Sequence, residues 1–129
     1  MWLMTKHGFY SIVQKAPGTY HVRAREKRDL QNLINRVRVP LGRIIETRKA
    51  DYRYRLLVDG DTLLRIMEFL GDSINYDNFK AEIARTPDQA RKPYHQVWSI
   101  LAYALGAYGA RPGGSRRGAA MARGDEVFV

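Results

Sequence analysis

The chain contains no cysteine, which excludes thiol nucleophiles, disulfide frameworks and thiolate-bound zinc together. Histidine is scarce: His7, His21 and His95 lie far apart, and none has a second histidine or a suitable carboxylate pair at helical spacing. No metal site is expected from them. Long apolar runs are missing as well. Met1-Trp2-Leu3-Met4 has no basic leader and stops at Thr5-Lys6-His7-Gly8, shorter than a secretory core. The apolar stretch at residues 97–108 is broken by Ser99, Gly106 and several alanines, so it falls short of the roughly 20 residues a bilayer helix needs. A cytoplasmic protein without membrane contact is the expectation. No nucleophile elbow, phosphate loop or dinucleotide fingerprint occurs, and no cofactor is expected. Asp59-Gly60-Asp61 lacks the further acids of a calcium loop and reads as a turn with a helix cap.

Acidic residues are the other shortage, 13 against 22 Lys and Arg, for a formal charge of +9 over 129 residues. The excess is localised. Residues 23–55 hold eleven basic and four acidic groups, a net +7, while residues 56–110 are slightly acidic. Such asymmetry bears on partners rather than on fold. Apolar residues make up 45% of the chain, ordinary for a globular domain and too many for a disordered one. A single domain over residues 1–109 is expected, followed by a Gly/Arg-rich tail over residues 110–129 that lacks the composition to fold alone.

Residues 9–14 and 20–25 read as two strands joined at Ala16-Pro17-Gly18, with a short edge strand at residues 2–5. Leu30, Leu33, Ile34 and Val37 then form a helical stripe that ends at Val39-Pro40-Leu41-Gly42. The order repeats: strands at residues 43–47 and 52–58, then a stripe of Leu63, Ile66, Met67 and Leu70. A shift of 32 residues aligns Ile12 with Ile44, Tyr20 with Tyr52, Arg23 with Arg55, Asp29 with Asp61 and Ile34 with Ile66. The expected fold class is therefore α+β: two ββα units forming a four- to five-stranded antiparallel sheet with helices packed on it, and a helical C-terminal part. In that part Asp77 is expected to cap a helix whose Phe79 and Ile83 face inward. Thr86-Pro87-Asp88-Gln89 has capping-box spacing, and Pro93 kinks that helix or starts another. Val97, Leu101, Ala104, Leu105 and Tyr108 form the last core stripe, and His95 is expected to be partly buried and structural.

Strand alternation gives the candidate site. Tyr20, Val22 and Ala24 point one way, His21, Arg23 and Arg25 the other. Tyr52, Tyr54 and Leu56 likewise oppose Arg53, Arg55 and Leu57. If the apolar sets face the helices, Arg23, Arg25, Arg53, Arg55 and His21 share the open face, where planar guanidiniums suit phosphate oxygens. The plain alternative is a solvated face paired with neighbours such as Glu46. The tyrosines fall on the apolar face apart from Tyr10, placed outward beside Ile12, so backbone contact is favoured over base stacking.

Several runs occur together: Met1-Trp2-Leu3 with Gly8-Phe9-Tyr10-Ser11-Ile12-Val13-Gln14-Lys15, Val22-Arg23-Ala24-Arg25, Asp51-Tyr52 with Tyr54-Arg55, Tyr76-Asp77-Asn78-Phe79-Lys80, and Tyr94-His95 with Val97-Trp98. The combination resembles an uncharacterised family of small bacterial proteins over about residues 1–105. The resemblance implies a bacterial cytosolic domain, is compatible with a phage or mobile-element origin, and carries over no catalytic or binding residue. The functional expectation is a non-catalytic module that binds RNA or DNA through Arg23, Arg25, Arg53, Arg55 and His21. The alternative is a protein-interaction module, an adaptor or inhibitor, docking on an acidic or nucleic-acid-binding partner. A third reading makes His21 the centre of a small enzyme acting on a phosphorylated or nucleic-acid substrate.

Overall fold

In the computed structural model, which describes residues 1–106, Gly18 adopts φ 73° between strands β2 (Phe9–Ala16) and β3 (Thr19–Ala24). This left-handed residue closes the hairpin at little steric cost. Strand β1 (Trp2–Met4) lies on the outer side of β2, and helix α1 (Lys27–Arg36) follows β3. The second unit contributes β4 (Ile45–Glu46), β5 (Tyr54–Val58) and helix α2 (Gly60–Asp72). All four pairings are antiparallel and the sheet order is β1-β2-β3-β5-β4. The two ββα units thus form one antiparallel sheet, as expected, and meet at β3 and β5.

The register shows which part of that repeat is structural. Arg23 stands directly opposite Arg55, its own equivalent under a shift of 32, so a local two-fold axis passes between them. Outside these strands the shift changes. The helices correspond at 33: caps Glu26 and Asp59, then Leu30 with Leu63, Leu33 with Ile66, Ile34 with Met67 and Val37 with Leu70. The outer strands slip further, since Ser11 faces Arg23 whereas Ile45, not residue 43, faces Arg55. The identities Asp29/Asp61 and Ile34/Ile66 are therefore not structural equivalents; Asp29 is buried and Asp61 exposed.

Both helices pack on one side of the sheet. Tyr10, Ile12, Val22, Ala24, Leu56 and Val58 meet Leu30, Leu33, Val37, Ile66 and Leu70 in a continuous core. Tyr10, expected outward, is fully buried, and its hydroxyl donates to the Asp29 carbonyl at 2.8 Å. Asp29 also accepts from the Phe9 amide at 3.1 Å. Gly8 makes this possible, because a Cβ there would lie 2.6 Å from the Asp29 side chain.

Contacts divide the chain into two units, Met1–Asp77 and Asn78–Val129. The described part of the second holds α3 (Phe79–Ala84), α4 (Pro87–Ala90) and α5 (Tyr94–Ala104). The cap of α3 is Asn78, not Asp77; its side chain accepts from the Ala81 amide at 2.9 Å. Thr86 makes no side-chain cap bond and donates instead to the Glu82 carbonyl, so the capping box does not form. Pro93 starts a new helix. On α5 the inward residues are Tyr94 and Ala102, while Leu101, Ala104 and Leu105 of the expected stripe are exposed. Buried Gln89 accepts from the Tyr94 hydroxyl at 3.1 Å. His95 is exposed rather than partly buried, and its ring stacks on Trp98 at 5.3 Å. Among the described residues no helix is long and apolar enough to cross a membrane. Tyr108 and the expected Gly/Arg tail over residues 110–129 lie outside the described residues.

Candidate nucleic-acid interface

The sheet face away from α1 and α2 is built from the other half of each strand's alternation. One cross-strand row runs Trp2, Ser11, Arg23, Arg55, Ile45; beside it lie Val13, His21 and Leu57. Arg23, Arg55 and His21 therefore occupy one surface, as alternation required. Arg25 and Arg53 flank it just beyond the strand ends.

The four arginines differ in what holds them. Arg25 binds both Asp51 oxygens through Nε and Nη2 at 3.1 Å and lies 4.2 Å above the Tyr52 ring. Arg53 donates to Glu46 Oε2 from Nε at 2.6 Å and again from Nη2. Hydrogen bonding to those carboxylates raises both guanidinium pKa values above the usual arginine range. Arg23 has no such partner. It donates to Ser11 Oγ at 2.6 Å and stacks 4.6 Å from Tyr52. The Arg55 side chain has no hydrogen bond, ion pair or ring contact among the described residues.

Burial sharpens this contrast. Nε of Arg23, Nε of Arg55 and Nδ1 of His21 are all shielded from water without a hydrogen-bond partner. A buried donor or acceptor left unpaired costs on the order of 1–3 kcal/mol. Like charges placed directly opposite on a sheet add a further cost of roughly 0.2–1 kcal/mol. Desolvation, then Arg55, Lys15 and Arg23, lower the His21 pKa, so the ring is held towards its neutral form. An oxyanion placed over the row would meet several of these demands at once. Acid–base catalysis has less support, because no described residue hydrogen-bonds to the His21 ring to orient it.

Three site features escaped the alternation argument. Tyr52 does not share the apolar face: it precedes β5, where the chain bends, and its buried ring lies against Arg23 and Arg25. Trp2 and Phe9 also stand on the open side, 6.5 Å apart. Correct parity of β2, with Tyr10 and Ile12 both inward, would have placed Phe9 and Ser11 outward. Glu46 does pair with an arginine, but only with Arg53 of the four. Comparison with family models, curated proteins and solved structures finds no match for this chain.

Proposed function

We propose that this protein is a small, non-catalytic nucleic-acid-binding module that contacts phosphates through Arg23 and Arg55, with His21 beside them. The reading rests on one observation: two arginines opposed across the central strands with no described carboxylate partner. Guanidinium forks suit phosphate oxygens, and bonds of this charge-assisted kind are about twice as strong as neutral ones. Arg25 and Arg53 already hold acids and contribute long-range field more than direct contact. The proposal sets the protein in the cytoplasm.

Binding of a labelled oligonucleotide measured against salt tests it. Log affinity should fall by roughly 0.7–0.9 per log unit of salt for each phosphate neutralised. Changing Arg23 and Arg55 to Gln should lower both affinity and slope. Absence of binding at low salt, or a double variant indistinguishable from wild type, would refute the reading.

A second reading has its own observation. Trp2, Leu57 and Ile45 on the same face are 73%, 46% and 37% exposed, and apolar residues among arginines also suit an acidic protein partner. Co-purification separates the two: a stoichiometric protein with no excess absorbance at 260 nm favours the protein partner.

A further inference from the structure

We infer that the nucleic acid this face accepts is single-stranded, with Trp2 as the platform on which an unpaired base stacks. The inference rests on the phosphate-binding reading above and names the substrate class for that same surface.

Trp2 lies in the same cross-strand row as Arg23 and Arg55, separated from them by Ser11. Adjacent strands are about 4.8 Å apart, so the Trp2 backbone stands about 10 Å from that of Arg23 along a straight line across the sheet. The row therefore offers an aromatic plane, a hydroxyl and two cations in order. A phosphate held by the arginines leaves the neighbouring base within reach of the ring. Trp2 is 73% exposed although it is the largest apolar side chain on this face. Phe9 stands beside it at 6.5 Å with the rings inclined by 57°, an arrangement that supports one side of the indole and leaves another open.

The competing aromatic group on the face is already engaged, since the guanidiniums of Arg23 and Arg25 lie over Tyr52. A duplex could satisfy the arginines but not the indole. Its bases are stacked inside, and its grooves take a helix or a projecting ribbon rather than a sheet face. Exposed Leu57 and Ile45 would then meet phosphates and sugars in place of base surfaces. Single strands present both a backbone charge and free π-faces, and stacking tolerates any sequence.

The test compares a 15-nucleotide oligo(dT), a 15-base-pair duplex and inorganic polyphosphate, each titrated into the full chain at the same low salt. Oligo(dT) should bind more tightly than the duplex. Trp2→Ala should weaken oligo(dT) by roughly 10- to 100-fold and leave polyphosphate unchanged, while Trp2→Phe should recover most of the loss. Oligo(dT) should also quench tryptophan fluorescence in wild type and in Trp98→Phe, but not in Trp2→Ala. Equal affinity for duplex and oligo(dT), or Trp2→Ala binding oligo(dT) like wild type, overturns the stacking inference while leaving phosphate binding in place. A parallel loss on polyphosphate and oligo(dT) in Trp2→Ala also overturns it, because the indole would then be supporting the arginines. Failure of all three ligands to bind wild type removes the phosphate reading itself.

Discussion

Arg25 and Arg53 sit just beyond the strand ends against Asp51 and Glu46, whereas Arg23 and Arg55 sit within the central strands, opposite one another, with no described acid beside them. The same residue type thus appears in two settings on one sheet. Exposed pairs like the outer ones contribute little to stability and need no ligand to explain them. The inner pair is a local deficit in the isolated fold, the kind of deficit the proposed phosphate contact would relieve. Net charge does not distinguish the two cases; cross-strand register and carboxylate position do.

The two pairs of arginines should differ most visibly in binding. Arg23→Gln with Arg55→Gln should weaken oligonucleotide affinity about 100-fold at low salt, two lost charge-assisted contacts at roughly 1.5 kcal/mol each. Arg25→Gln with Arg53→Gln should change it less than about threefold. Fluorescence anisotropy decides, and equal losses from both pairs would erase the distinction. Next in size is the loop that anchors β1 beside the inner pair. Gly8→Ala drives a Cβ to 2.6 Å from Asp29 and should cost about 1–3 kcal/mol, as overpacked sites do. A melting temperature within about a degree of wild type would show that the loop adapts.

Smaller, and opposite in sign for the two pairs, is the effect on stability. Arg55→Gln should stabilise the free protein by roughly 0.2–1 kcal/mol by relieving the repulsion. Arg25→Gln should destabilise it by about 0.5–1 kcal/mol, through loss of a forked pair and a stacked ring. Urea midpoints measured without ligand test both signs. The last effect is absent at neutral pH and grows only with acid. His7 is held down to about 4 by burial, Arg36 and Lys6, and burial with Arg55, Lys15 and Arg23 lowers His21. Both rings stay neutral in the fold below the pH at which the unfolded chain protonates them, so their contribution is complete above about pH 6.5 and declines as pH falls towards the folded values. His7→Gln should flatten the stability curve between pH 6.5 and 4. In binding the sign reverses: a phosphate beside His21 favours its protonation, so affinity should rise roughly twofold to fivefold from pH 7.5 to 6, and not in His21→Asn.

Much of the first unit was legible because its strands keep a strict period of two where one face is buried. Val22 and Ala24 inward, His21 and Arg23 outward follow directly. Periodicity ceased to report the facing side where the chain was no longer a strand: Tyr52 lies in the bend before β5, and from there a ring with strand-like spacing turns to the other face. Carboxylate pairing was only partly legible, because Asp51 and Glu46 reach Arg25 and Arg53 across turns whose geometry no periodicity encodes. On α5, Val97, Ile100, Leu101, Tyr103 and Leu105 surround much of the helix, so a stripe chosen by spacing did not identify the inward side held by Tyr94 and Ala102.

The local axis between Arg23 and Arg55 bears on direction. A pair of cations related by a half-turn presents the same face to a strand running either way, so it has no means of distinguishing head from tail. Among the described residues, strand β1 has no counterpart beyond β4. On the proposed function, polarity comes from what lies outside that pair: His21, whose equivalent under the half-turn is Arg53, and the unmatched edge with its single indole.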